Sequence, residues 1–250
     1  MTAADGPGRA TSAGQASRPG GGRSGGPGAA TSDRTAAMES LYPFLYAGAS
    51  DLNAVMEEVR ASTVAKTAEI AALRREVCAR DAARLRACAD DMAGRLTAGG
   101  RLLTFGNGGS STDAQEMATL FLHPGDGRRA LPSFCLSNDI AVVTALCNDI
   151  GVDVVFSRQV AAFGRPADIA VALSTSGNSE NLLRGLAEAG RRGMLTVGIA
   201  GYEGGKMAEL EGLDHLFVAP SASVHRIQEA QTTIYHVLWE LTLAALGEGG

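Results

Sequence analysis

The chain has 250 residues, 45% of them hydrophobic, with a formal net charge of −5 and a pI of about 5.4. That length and apolar content suit one sizeable α/β domain with added helices, and the acidic balance argues against broad nucleic-acid binding. No apolar run reaches membrane length and no basic-then-apolar leader opens the sequence. Cys78, Cys88, Cys135 and Cys147 show no paired metal-ligand spacing, so a cytoplasmic protein with reduced thiols is expected.

Residues 1–37 are rich in Gly, Ala, Ser and Pro and nearly lack large apolar side chains. Such a segment cannot repay its ordering entropy and reads as a disordered tail. Residues 38–250 read as one domain with an N-terminal helical extension. An aromatic lead-in spans Met38 to Gly48. One helix is expected from Asp51, a candidate cap, to about Leu73, with Leu52, Val55, Val59, Ile70 and Leu73 facing inward. A second is expected from Cys78 to Leu96, stopped by Gly99 and Gly100. Strands are then expected at 101–105, 132–136, 169–173, 194–200 and 215–219. Helical patterns separate them, the helix at 140–146 being capped by Asp139. This alternation implies a three-layer α/β sandwich, a largely parallel sheet flanked by helices, with ligands at the carboxyl ends of the strands.

Two polar turns lie at that end. The first, Gly106-Asn107-Gly108-Gly109-Ser110, follows an apolar strand and opens a helix. It is neither a dinucleotide fingerprint nor a P-loop, because Ser111 stands where a glycine is wanted and no Gly-Lys-Ser/Thr follows. Backbone N–H groups in such a turn suit an anion. The second, Ser174-Thr175-Ser176-Gly177-Asn178-Ser179, carries four hydroxyls within six residues besides an amide. Ser179 could be only a helix cap, but a cap does not account for Ser174, Thr175 and Ser176. Hydroxyls without a basic residue suit a small phosphoester better than a polyphosphate.

The final helix, expected from Val224 to Leu246, carries His225, Gln228, Glu229, Thr232 and His236 on one stripe. Ile227, Ala230, Ile234, Leu238 and Leu241 lie mostly elsewhere. A solvated face is the plain reading of that stripe; a site with acid–base or metal-binding groups is the sharper one. On the helix after the first turn, Asp113 near the N-terminus suits the helix dipole. Glu116, one turn deeper, is the better chemical candidate.

Taken together, Gly106–Ser110 with Asp113-Ala114, Asn148-Asp149, Ser174–Ser179, Gly204-Gly205-Lys206-Met207 and Arg226-Ile227-Gln228-Glu229 with His236 resemble the sugar isomerase (SIS) family. Within it they resemble the phosphoheptose isomerases, over about residues 50–245. The resemblance implies the SIS fold and a homotetramer with sites between subunits. It also implies isomerisation of sedoheptulose 7-phosphate to a D-glycero-D-manno-heptose 7-phosphate through an enediol, with no membrane or direct nucleic-acid partner. It assigns phosphate and sugar contacts to Ser110, Ser174, Thr175, Ser176 and Ser179 and substrate-lining positions to Asn107 and Asp149; Gly108, Gly109, His225 and Gln228 of this chain are further expected substrate-side residues. It places zinc on Gln228 and His236, and makes His236 an acid–base group. The family's His-x-x-x-Glu pair is replaced here by Glu116 and Leu120, and its aspartate before Arg226 by His225. Leu120 can neither ligate nor take a proton. Glu116 is therefore the expected base and third metal donor, with His225 or His123 as helpers. The alternatives are a noncatalytic phosphosugar-binding SIS protein, regulatory or assisting replication initiation, or an isomerase of another phosphosugar.

Overall fold

A computed structural model describes residues 52–247 apart from Asp126. The expected tail, the lead-in at 38–48 and the Asp51 cap lie outside the described residues. The described chain runs α1 (Leu52–Thr97), β1 (Leu102–Gly106), α2 (Gly109–Leu122), β2 (Ser133–Cys135), α3 (Ile140–Asp149), α4 (Val155–Phe163) and β3 (Ile169–Leu173). It continues with α5 (Glu180–Arg191), β4 (Leu195–Gly201), β5 (His215–Ala219) and α6 (Val224–Ala245). Single 3₁₀ turns precede α4 and follow β4.

The five strands form one parallel sheet in the order β2-β1-β3-β4-β5. Every residue of β1, β3 and β4 is buried, which is why these strands read as unbroken apolar runs rather than as alternating ones. One face is covered by α2, α6 and the second half of α1 around Met92, Phe121, Tyr235 and Leu238. The other is covered by α4 and α5 around Phe105, Phe156, Leu182 and Leu186. The strand order reverses between β1 and β3, so the crevice at their carboxyl ends is the topological switch point, where open α/β sheets bind ligands. The two polar turns are the loops that leave those two strands.

The N-terminal helices differ from expectation. A single helix of 46 residues replaces the two expected. Arg74, Arg75, Glu76 and Val77 fill the expected gap without a glycine or proline, so nothing interrupts the helix. Its buried stripe begins at Ile70 and passes through Leu73, Val77, Leu85, Met92 and Leu96. Val55 and Val59, expected to face inward, are exposed at 38% and 54%. Buried Asp81 orients Arg80 and Arg84, whose guanidinium groups donate to the Val218 and Leu216 carbonyls and so cover the β5 edge. Asp139 caps α3 as expected, accepting from the Ala141 and Val142 amides. That helix runs on to Asp149, three residues past the expected end, and buries none of its residues.

Candidate functional site

The first turn is closed by its glycines. Gly108 adopts a φ of +54° at the N-cap of α2. Gly109 lies directly under the Gln228 side chain, where a Cβ would strike the amide nitrogen. The first turn of α2 therefore meets the first turns of α6. Ser110 is buried beside it.

The serine turn is held from inside. Ser174 Oγ accepts from the Gly177 amide at 3.0 Å, and Ser176 Oγ from the Asn178 amide at 3.2 Å. The loop after β4 clasps its outer side: Lys206 N donates to Asn178 Oδ1 and Met207 N to the Gly177 carbonyl, each at 2.9 Å. Ser179 occupies the N-cap position of α5, yet its hydroxyl makes no capping bond. Capping thus does not account for this serine. The two turns are joined through α5, because Asn107 and Asn181 exchange amide hydrogen bonds at 2.9 and 3.0 Å. A cavity of about 230 Å³ opens beside them, lined by Asn107, Gly108, Ser111, Ser137 and Asn181 among others. A larger one of about 640 Å³ lies by Asp214 and His215, at the opposite end of the strands.

Glu116 and His236, the expected acid–base residues, sit where α2 packs on α6. Glu116 Oε2 accepts from the Tyr235 hydroxyl at 2.9 Å, and Glu116 Oε1 lies 3.4 Å from His236 Nε2. The His236 ring stacks on Tyr235 and meets Trp239 edge-on. Glu116 keeps 53% of its side chain exposed and His236 keeps 37%, so both are held by neighbours and open to a ligand. Burial pushes the Tyr235 phenol well above its ordinary value. A hydrogen bond with Thr232 opposes that shift and the Glu116 carboxylate reinforces it. Tyr235 thus stays a hydroxyl donor to Glu116. One turn earlier, burial and then the Glu116 charge push the Asp113 carboxyl up to about 6, and its Oδ2 is buried with no partner. Leu120 packs against the core.

The remaining expected residues fall at different distances from this centre. Thr175 and Ser176 are half-buried in the serine turn. Asp149 ends α3 and is exposed, bonded to Asn148. His225 is exposed in the first turn of α6, about 16 Å along the helix axis from His236. His123 stands at the far end of α2, about 10 Å along its axis from Glu116. Within one chain neither histidine reaches the Glu116–His236 pair as a helper. Toward a metal, the described residues of one chain hold no converging group of three His, Cys, Asp or Glu side chains. Glu116 and His236 supply two such donors side by side, and Gln228, the third expected donor, lies about 12 Å from His236 along the axis of α6. Two residues of this region carried no motif signal. Tyr235 and Gln231 are fully buried on α6, and Gln231 Nε2 donates to the Ser174 and Ile199 carbonyls. A glutamine or tyrosine inside an apolar helical stripe is the available clue, since buried polar groups are there with partners.

Fold and site define an open, parallel α/β protein with two polar, glycine-containing turns at its switch point and a carboxylate–imidazole pair alongside. The family model described as SIS domain matches residues 67–201. A phosphoheptose isomerase of Aquifex aeolicus is 44% identical over 147 residues, 58% of this chain and 76% of that protein. One of Pelodictyon phaeoclathratiforme is 42% identical over 180 residues, 71% and 85% of the two chains. Among solved structures, the phosphoheptose isomerase from Neisseria gonorrhoeae superposes with a TM-score of 0.68 at 33% identity, covering 74% of this chain and 99% of that one. The Francisella tularensis phosphoheptose isomerase gives 0.63 at 32%, covering 77% and 98%. The chain belongs to the SIS-domain family, on the phosphoheptose isomerase branch.

Proposed function

We propose that this phosphosugar isomerase converts sedoheptulose 7-phosphate to the aldose D-glycero-D-manno-heptose 7-phosphate. The observation that carries this reading is the Glu116–His236 pair, partly exposed and carried on the helices that frame the two turns. The names of its relatives support the substrate class. Ser174, Thr175, Ser176 and Ser179 hold the phosphate, with the amides of Gly108 and Gly109 and the Ser110 hydroxyl, while Asn107 and Asp149 line the sugar. Glu116 removes a proton from C1 of the ketose as His236 protonates the C2 oxygen, giving a 1,2-enediol. Loss of the O1 proton and return of a proton to C2 then give the aldose. The anchored phosphate keeps C1 and C2 in register with the pair. Glu116 here does the work that Leu120 cannot.

The working unit is proposed to be a homotetramer with intersubunit sites. Support comes from α3, which buries none of its residues, and from the exposed Ile140, Ile150, Val152 and Phe163 around it. Light scattering should then give four times the chain mass; a monomer would refute it. Glu116→Gln tests the chemistry. Turnover should fall at least 100-fold, with the Kd for sedoheptulose 7-phosphate within threefold of wild type. Retained turnover would sink the assignment of Glu116 as base.

A further inference from the structure

We propose that Gln231 is a positioning residue that sets the serine turn against the acid–base helix; its catalytic consequence rests on the function proposed above. Gln231 is fully buried, so it cannot touch a substrate. Its amide nitrogen faces two carbonyl oxygens, Ser174 O at 2.8 Å and Ile199 O at 3.2 Å. Only an N–H₂ group can face two carbonyls, which fixes the amide orientation. Both acceptors belong to one junction, since Ser174 N itself donates to Ile199 O at 2.9 Å. This junction is the point where β3 ends beside β4 and the serine turn begins.

The same helix carries Gln228 three residues earlier and His236 five residues later. The turn's other fastenings, to Lys206 and Met207, lead to the loop after β4, which bears none of the proposed acid–base groups. The Gln231 bond to Ser174 therefore ties the proposed phosphate cradle directly to the helix of His236. The arrangement has a cost. Gln231 Oε1 is buried without a partner, an expensive state that an apolar residue would avoid. A buried amide retained at that cost, with both protons spent on the mouth of the turn, is accounted for by the position it enforces.

Gln231→Met removes the donors while keeping the length of the side chain. With sedoheptulose 7-phosphate, kcat should fall at least tenfold while KM moves less than threefold, because the cradle survives but is misplaced. Amide hydrogen exchange in residues 174–179 should accelerate at least tenfold, with the α2 amides unchanged. Gln231→Glu adds a second reading. Protonated, its O–H can donate to Ser174 O; ionised, it meets carbonyl lone pairs. Its kcat, relative to wild type at each pH, should recover as pH falls from 8 to 6. A kcat within twofold of wild type in Gln231→Met, a loss confined to KM, or unchanged exchange would overturn the proposal. If Gln231→Met does not fold, the Gln231→Glu profile decides: a pH-independent ratio overturns it. If the wild-type chain turns over no sedoheptulose 7-phosphate, the functional reading alone fails. Exchange in Gln231→Met still decides whether Gln231 holds the turn.

Discussion

Gly177→Ala strikes the serine turn at its tightest point. Gly177 has a φ of +66°, and a Cβ there would overlap the backbone carbonyl of Gly204. The left-handed backbone alone costs an alanine about 1 kcal/mol. The overlap is with backbone, so no rotamer change relieves it and the clasp must open. Three hydrogen bonds depend on the clasp: Gly177 N to Ser174 Oγ, Met207 N to Gly177 O, and Lys206 N to Asn178 Oδ1. At about 1 kcal/mol each, the total reaches about 4 kcal/mol. For a domain of this size that is a Tm lower by about 8–16 °C. Gly108→Ala is the control. Its φ is +54° but nothing lies within 4 Å of the added methyl, so only the strain remains, a loss of about 2–4 °C. Thermal unfolding and calorimetric titration with inorganic phosphate read both variants. Gly177→Ala should also weaken phosphate binding at least 100-fold. Binding within threefold of wild type, or equal Tm losses in the two variants, would refute the reasoning.

Tyr235→Phe keeps the ring that stacks on His236 and removes the hydrogen bond to Glu116. Turnover should fall about tenfold, the scale of one hydrogen bond to a charged group, with the fold intact by circular dichroism; unchanged turnover would remove Tyr235 from the site. Asp113 has a pKa raised to about 6 in the folded chain, so its protonated form is favoured by folding. That contribution is fully present below about pH 4 and is lost as pH rises through 6. A rise of that size from the ordinary carboxylate value corresponds to about 3 kcal/mol, and partial exposure reduces this to about 1 kcal/mol. Denaturant midpoints should show wild type losing ground to Asp113→Asn between pH 4 and 7; parallel profiles would show that Asp113 does not titrate there.

The sheet was readable because parallel strands buried on both faces leave continuous apolar runs. The strands expected at 169–173 and 215–219 are found at those residues, and that expected at 194–200 is found to within one residue at each end. The order of strands was not readable, because strand order is set by packing between distant segments. The N-terminal helix was misjudged where apolar residues sit on an exposed stretch. Val55 and Val59 keep a helical spacing, and spacing alone does not say what covers them. Within the site, the turns announced themselves through composition. The polar stripe of α6 was likewise found as expected, with Ile227, Ala230, Ile234 and Leu238 buried opposite it. The partners were hidden. Asn181, Gln231 and Tyr235 gain meaning only from Asn107, Ser174 and Glu116, which lie 74, 57 and 119 residues away in sequence.

Incubation of the purified chain with sedoheptulose 7-phosphate, followed by proton and phosphorus NMR, reads the proposed reaction itself. New aldose phosphate signals should grow to an equilibrium ratio with the wild-type chain and fail to form with Glu116→Gln. Thermal stabilisation by the sugar phosphate with no conversion would contradict the isomerase reading and make the chain a phosphosugar-binding protein.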